Sequence, residues 1–571
     1  GIVGYFGNNL PELEKIKEVR DLLARRGPDD KGYYYDAKEN IALAHRRLSI
    51  IDLSSAGHQP FFSNCGRYVV TYNGEIYNYL EIRDELKNDY NFKTNTDTEV
   101  LLASYIKYGE KCLEKFNGMF AFAIYDKKEK KLFCARDRLG IKPFFYYCDN
   151  NKFIFASEIK AILSLRAEKE VNNKAIFDYL YYGFYDHSDE TFFKNIKKME
   201  AGHFAILQDG KINIKKYWDL DRVDYDFKEM PENKIKNKFE ELLTDSIKLR
   251  FRSDVHVGIN LSSGLDSNAL RYYTNKITGK NISMFTMRTV SKEYDEGKIL
   301  EAFLNNKEKK HWHTCFIKPE ANLIKQAEEM QEIQDQPYGG IPTIVYLELI
   351  KLVKNNNTTV LLEGQGLDEL LAGYKYYNNP QSLQFSQDMS KLIDADVLSK
   401  NFVQQYENEE LKFRSPFSDD LLNAQYRDIK YTKLPRVLRF NDHVTMYYGR
   451  ELRVPFLDHR IVEFCFHIPK KYKIRGEEQK FLIRDLMKDK FFNIGSIPKK
   501  TFGAVQSEWF RNNYKDEILS LINSESFKNR IYWDYEKLNK KINNFFTGDG
   551  NNSFFIWQCV NLEIWLKKYI N

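Results

Sequence analysis

The chain has 571 residues, too many for a single hydrophobic core, so at least two domains are expected. Apolar residues make up 43% and charged residues 29%, an ordinary globular balance, and a net charge of only +6 speaks against a nucleic-acid binder, whose basic residues would be in clustered excess. Seven scattered cysteines, an odd number without any C-x-x-C, argue against a disulfide framework or a zinc site and point to a reducing, cytoplasmic setting.

The opening Ile2-Val3-Gly4-Tyr5-Phe6 reads as a strand with no basic stretch before it, so no signal peptide is expected. No apolar run approaches a membrane span; Phe120–Ile124 is typical of the longest. Short alternating stretches then predict strands at Tyr68–Tyr72, Phe120–Tyr125, Lys131–Ala135, Phe144–Cys148 and Phe153–Ala156. Asn73-Gly74 and Asp149-Asn150-Asn151 read as the turns between them. Amphipathic helices near 79–88 and 97–108 interrupt the strands, a pattern that suits sheets layered with helices. A charged, helix-favouring segment at about 226–250 marks the junction. Beyond it, strands at 255–261, 282–288, 311–317 and 358–362 and a helix at 343–354 follow the pattern of a parallel sheet. The last third reads as mostly helical. Domains are therefore expected at 1–215 and 226–571.

Two loops in the second part carry chemistry. Ser262-Ser263-Gly264-Leu265-Asp266-Ser267 follows the first of these strands, and Glu363-Gly364-Gln365-Gly366-Leu367-Asp368-Glu369 follows the last. Loops at the carboxyl ends of parallel strands line the ligand crevice, so both can face one nucleotide. Hydroxyls and backbone N–H groups would hold pyrophosphate, and Asp266 and Asp368 would supply oxygens to Mg²⁺. Either loop alone is only a glycine-rich turn; the pair in order is informative. There is no G-x-x-x-x-G-K-[ST], so the chain is not a P-loop NTPase. Cleavage between the α and β phosphates, with a carboxylate activated as its adenylate, is the chemistry such a loop serves.

With Tyr294-Asp295-Glu296, Gly364 to Tyr374, Arg453-Val454-Pro455-Phe456-Leu457-Asp458-His459 and Gly476-Glu477-Glu478-Gln479-Lys480, these loops resemble the synthetase domain of the asparagine synthetase family. The resemblance implies an adenine-nucleotide α-hydrolase-like (PP-loop) fold that uses ATP and Mg²⁺. It implies that Leu261, Met287 and Gly364 contact adenosine. Ser262, Gly264, Asp266 and Ser267 would hold pyrophosphate, with Glu363 beside them. Lys480 would offset charge in the transition states of adenylation and amide formation.

Residues 1–160 carry a second set: Gly1-Ile2-Val3-Gly4, Arg26-Gly27-Pro28-Asp29-Asp30, Arg47-Leu48-Ser49-Ile50, Tyr72-Asn73-Gly74-Glu75, Asp97 and Ala135 to Pro143. These resemble the class II glutamine amidotransferase domain, an αββα N-terminal-nucleophile hydrolase. Glutamine binding needs a cation for the carboxylate and carboxylates for the ammonium: Arg47 fits the first role, Glu75 and Asp97 the second. Asn73 and Gly74 would donate to the oxyanion of the tetrahedral intermediate. The family's nucleophile is a Cys immediately before Gly-Ile-Val-Gly, with its free amine as base. The sequence opens at Gly1, so that Cys is expected before Gly1 and none of the seven cysteines takes the role.

The expected function is a glutamine-dependent amidotransferase of the asparagine synthetase type, with L-aspartate the default acceptor and a homodimer implied by the resemblance. The loops depart from the family pattern in four places. Ser263 and Asn268 replace a Gly and a Ser. Glu363 and Gln365 replace a Ser and a Glu, and a carboxylate at 365 could accept a proton from ammonia where an amide does so poorly. Asp442-His443 stands where the family has Asp-Arg. A non-aspartate carboxylate, such as a sugar acid or secondary metabolite, is therefore a rival acceptor. Further rivals are an ammonia-dependent ligase lacking the nucleophile, a tRNA-modifying ATP-pyrophosphatase, and an inactive scaffold.

Overall fold

A computed structural model describes the chain except for residues 167, 223–226, 228–229, 290–294, 381–394, 410, 491–502, 549–551 and 571. Position 226, the expected start of the junction, and Tyr294 of the quoted Tyr294-Asp295-Glu296 stretch lie outside the described residues.

The N-terminal part is built from two six-stranded antiparallel sheets. The first runs in the spatial order Ile196–Lys198, Phe145–Cys148, Lys152–Ala156, Ile2–Gly7, Ile41–Arg47, Asp30–Asp36. The second runs Lys211–Lys216, His203–Gln208, Lys131–Arg136, Gly118–Asp126, Tyr68–Ile76, Phe61–Phe62. Strand alternation makes four layers of them. Ile2, Leu43 and Phe155 meet Val69, Ala121 and Cys134 between the sheets. The opposite residues of the first sheet, Val3, Tyr5 and Ala44, pack on Ile16 and Val19 of helix Leu13–Asp21 and Ile162 of helix Ile159–Leu165. Val70, Tyr72 and Phe122 of the second sheet pack on Ile82 of helix Tyr79–Leu86 and Leu101 of helix Asp97–Tyr108. This is the αββα sandwich expected from the N-terminal motifs.

Two readings of this part need correction. Asn73-Gly74 is not a turn. Strand Tyr68–Ile76 runs through it, with Asn73 opposite Ala121 and Gly74 opposite Phe120. Glycine is required there by close approach: a Cβ on Gly74 would lie 2.1 Å from the Met119 carbonyl oxygen. Six of the twelve strands, Asp30–Asp36, Ile41–Arg47, Phe61–Phe62, Ile196–Lys198, His203–Gln208 and Lys211–Lys216, are not among those predicted.

Helix Glu232–Arg250 leads into a five-stranded, wholly parallel sheet. Its order is Trp312–Ile317, Met284–Thr289, Val257–Asn260, Val360–Leu362, Glu451–Arg453. The chain moves one way from Val257–Asn260 and then returns to its other side with Val360–Leu362, so the sheet's switch point lies between these two strands. Ligand crevices open at the carboxyl ends of such a pair. The four predicted strands are present, shorter than expected. The Arg453–His459 stretch supplies the end of the fifth strand, a turn at Pro455–Leu457, and the start of helix His459–His467. Among the described residues no helix is long and apolar enough to cross a membrane.

Candidate active sites

Gly1, Arg47, Asn73, Gly74, Glu75 and Asp97, far apart in sequence, line one pocket at the edge of the two antiparallel sheets. The backbone nitrogen of Gly1 donates to the Arg46 carbonyl at 2.6 Å, which fixes the start of the strand beside the pocket. The Arg47 guanidinium is held by backbone carbonyls only, Ser54 at 2.8 Å, Ile51 at 3.2 Å and Asp52 at 2.5 Å, so its charge is oriented without being neutralised by them. Asp97 opens helix Asp97–Tyr108, and its Oδ2 accepts from the Tyr72 hydroxyl at 2.7 Å and the Ile76 N–H at 3.0 Å.

The electrostatics of this pocket call for a cation. Burial, opposed by those two hydrogen bonds, pushes the Asp97 carboxyl up to about 6. Burial, then the nearby Asp97 charge, holds Glu75 well above the usual carboxylate range. Glu75 Oε2 and Asn73 Nδ2 are both buried without a hydrogen-bond partner, an acceptor and a donor left over in one pocket. A ligand carrying an ammonium and an amide oxygen satisfies both.

Sequence reasoning missed that the C-terminal half also builds this pocket. Glu451 and Met446 line it. Arg453, fully buried, donates through Nε to Glu451 Oε1 at 2.8 Å and lies 3.4 Å from Glu75 Oε1. Arg26 joins Asp442 at 2.8 Å and Glu158 at 3.3 Å, and Lys142 approaches Asp442 at 3.4 Å. The sequence signals were the presence of Arg26, Lys142 and Arg453 inside family-like motifs and the Asp442-His443 pair; the partners Asp442 of Arg26 and Glu75 of Arg453 lie hundreds of residues away.

The second site lies at the switch point of the parallel sheet. Lys480 is buried and bridges Asp266 and Asp368, with 2.7 Å from Nζ to an oxygen of each. The two carboxylates thus share one cleft; burial lowers the affinity of Lys480 for its proton, and the charges and hydrogen bonds of Asp266 and Asp368 outweigh that and raise it. Ser262–Ser267 forms the turn before helix Leu265–Thr278, with Ser262 and Ser267 hydroxyls 2.9 Å apart. Ser263 N–H already donates to the Glu296 carboxylate at 3.1 Å, so the turn presents a backbone donor to an anion. Asn268 bonds the carbonyls of Ser262 and Gly264 at 3.0 and 2.8 Å, closing the turn in place of the usual Ser. Gly264 precedes the helix as its N-cap residue. Leu261 is buried and hydrogen-bonded to Phe285, and Met287 lies two residues past Phe285, the register partner of Asn260. Gly364 abuts Asp266: a Cβ there would lie 3.2 Å from the Asp266 Cβ.

The donor set fits Mg²⁺. No group of three or more ligating side chains exists among the described residues, and Mg²⁺ is held by one or two carboxylates with substrate phosphates completing its shell. Glu363, expected beside the nucleotide, is engaged elsewhere. Its oxygens accept from Asn260 Nδ2 at 2.6 Å, the Tyr346 hydroxyl at 2.5 Å, Asn441 Nδ2 at 3.1 Å and Gln365 Nε2 at 3.4 Å, and from no group of the Ser262–Ser267 turn.

Residues 1–218 match the family described as glutamine amidotransferase domain, and residues 238–567 match asparagine synthase. The chain is 29% identical to asparagine synthetase (glutamine-hydrolyzing) 1 of Bacillus subtilis across 100% of this chain and 98% of that protein. It is 32% identical to asparagine synthetase 2 of the same organism, over 82% of this chain and 67% of the relative. It is 25% identical to amidase chry2 of Gibberella zeae, over 93% and 91% respectively.

Proposed function

The chain belongs to the asparagine synthase family and is a glutamine-hydrolysing, ATP-dependent ligase, and from that premise we propose how its two sites divide the work. In the N-terminal pocket Arg47 binds the glutamine carboxylate, and Glu75 and Asp97 bind its ammonium. Asn73 Nδ2 and the Gly74 N–H receive the oxyanion. The nucleophile is a Cys bonded to Gly1, whose backbone nitrogen already lies beside the pocket. Ammonia passes to the second site across the interface that Arg26, Asp442 and Arg453 hold together.

In the second site Ser262, Gly264, Ser267 and the N-terminus of helix Leu265–Thr278 bind the pyrophosphate portion of ATP. Leu261, Met287 and Gly364 flank the nucleoside. Asp266 and Asp368 would hold Mg²⁺, which would supply positive charge against the phosphates. Lys480 then stabilises the charge that develops as the acceptor carboxylate attacks the α-phosphate and pyrophosphate leaves. The observation that carries this reading is the Lys480 bridge between Asp266 and Asp368 at the sheet's switch point. We further propose that the active form is a homodimer.

L-aspartate is the default acceptor. A second reading, a non-aspartate carboxylate, draws support from this chain's own residues. Gln365 supplies an amide where the family pattern has a carboxylate, and His443, where the pattern has Arg, is buried with its pKa pushed down to about 4, so it carries no charge at neutral pH. A panel of acids, L-aspartate and sugar acids among them, tested for glutamine-dependent AMP formation decides between the two. Intact-mass measurement of the purified protein tests for the Cys before Gly1. Absence of glutamine hydrolysis with retained ammonium-dependent AMP formation would favour the ammonia-only ligase.

A further inference from the structure

Asn260 ends one of the two strands that flank the switch point and Glu363 follows directly after the other, and Asn260 Nδ2 donates to Glu363 Oε1 across the crevice floor at 2.6 Å. Glu363 is 2% exposed and its carboxylate is met by Tyr346, Asn441 and Gln365 as well, so that all four groups hydrogen-bonded to it are neutral donors. A buried carboxylate surrounded by neutral amides and a phenol is costly as a purely structural element, because neutral hydrogen bonds offset only part of the cost of burying its charge. Burial, only partly opposed by these hydrogen bonds, raises its pKa above the usual carboxylate range.

Its position relates it to both halves of the reaction. On one side, the next residue, Gly364, abuts Asp266 of the pyrophosphate turn. On the other, Asn441 is adjacent in sequence to Asp442, which is paired with Arg26 and Lys142 of the N-terminal domain. Glu363 therefore lies between the nucleotide cleft and the interface from which ammonia arrives. The position two residues on, where the family pattern has a carboxylate, is the amide Gln365.

Resting on the function proposed above, we propose that Glu363 is the proton acceptor for the ammonia that attacks the acyl-adenylate, the carboxylate having moved from position 365 to position 363. Gln365 Nε2, at 3.4 Å the longest of the four contacts, marks where an N–H of ammonia would replace an amide N–H. The nitrogen lone pair forms the C–N bond at the acyl carbon, and the C–O bond to the α-phosphate breaks with its electrons leaving on AMP. The ammonium-type nitrogen of the adduct loses one proton to Glu363, giving the neutral amide. Asn260, Tyr346 and Asn441 act as positioning residues for the carboxylate.

The test measures the ratio of amide to AMP formed from ammonium chloride, with the acceptor that the acid panel returns for the wild type. Glu363→Gln should lower that ratio at least 50-fold, and Glu363→Asp, which keeps the charge, about 5- to 10-fold. Hydroxylamine, whose adduct sheds its proton to water more readily, should restore product per AMP in Glu363→Gln to near the wild-type ratio. Glu363→Asp keeps the test alive if the Gln variant does not fold. An unchanged ratio in either folded variant, or an equal loss with hydroxylamine, would overturn the proposal. Failure of every acid in the panel to support AMP formation in the wild type would instead overturn the underlying reading as a carboxylate ligase.

Discussion

Lys480 and Asp266, 214 residues apart, meet at 2.7 Å, and the same ammonium holds Asp368 at 2.7 Å. One cation thus organises the two loops that the parallel sheet brings together. Removing it leaves two carboxylates, 18% and 14% exposed at the side chain, repelling one another. Breaking a buried pair from one side costs about 3–5 kcal/mol. Lys480→Met should therefore melt earlier than the wild type, and added Mg²⁺ with ATP should recover part of the loss by replacing the missing charge. Its ATP-dependent amide formation should fall on the order of 10²- to 10³-fold, while glutamine hydrolysis continues. Calorimetry and separate assays of the two half-reactions check this.

Glutamine binding should weaken in acid. Burial places the Asp97 carboxyl near 6, so below that pH it becomes neutral and loses its attraction for the glutamine ammonium. KM for glutamine should rise about tenfold between pH 7 and pH 5, with ammonium-driven synthesis unaffected by this group. The stability sign is opposite. Because the folded-state pKa is raised, the contribution of Asp97 to stability is full below about 4 and is lost as pH rises through about 6. Glutamine should consequently raise the melting temperature more at pH 8 than at pH 5, which thermal scans with and without it will show.

Much of the architecture was legible because local periodicity carried it. Phe120–Tyr125 and Lys131–Ala135 alternate cleanly, and the structure has strands at both, as at the four predicted strands of the five-stranded parallel sheet. Six strands of the two antiparallel sheets escaped this reading, among them Asp30–Asp36, which carries Lys31, and Ile41–Arg47, whose Arg46 is satisfied by the Gly27 carbonyl at 2.9 Å. Asn73-Gly74 misled in the other direction: the local turn signal is genuine, but the approach of Met119 makes the glycine a strand residue. What sequence could not supply was pairing across the domains. Nothing local to Glu75 announces Arg453, and nothing local to Glu363 announces Asn441.

Arg453 is the clearest such pairing. It is fully buried, bonds Glu451 at 2.8 Å, approaches Glu75 at 3.4 Å, and donates to the carbonyls of Arg250 and Arg252 at 2.8 Å each. Arg453→Met keeps the volume and removes the charge, stranding two buried carboxylates at the edge of the glutamine pocket. The expected cost is about 3–5 kcal/mol. With Glu75 then free to protonate, KM for glutamine should also rise. The double variant Arg453→Met with Glu451→Gln should recover part of the stability, since one of the stranded charges is gone. Denaturant titrations of the wild type, the two single variants and the double variant measure that coupling.

Gly74→Ala should separate the two activities. The new Cβ, 2.1 Å from the Met119 carbonyl oxygen, meets backbone and cannot be relieved by a side-chain rotation. Strand Tyr68–Ile76 must withdraw from Gly118–Asp126 at that point, and overpacking of this kind costs about 1–3 kcal/mol. The withdrawal moves Asn73 and Glu75, the residues on either side, out of the positions in which one donates to the oxyanion and the other binds the ammonium. Glutamine hydrolysis should fall on the order of 10²-fold or more, the scale of losing an oxyanion donor. The atoms that the new Cβ meets belong to Met119 and Phe120 and to none of the residues proposed for the nucleotide site, so amide formation from ammonium chloride should proceed at close to the wild-type rate. A parallel loss of ammonium-driven synthesis would mean that the strand supports the second site as well as the first.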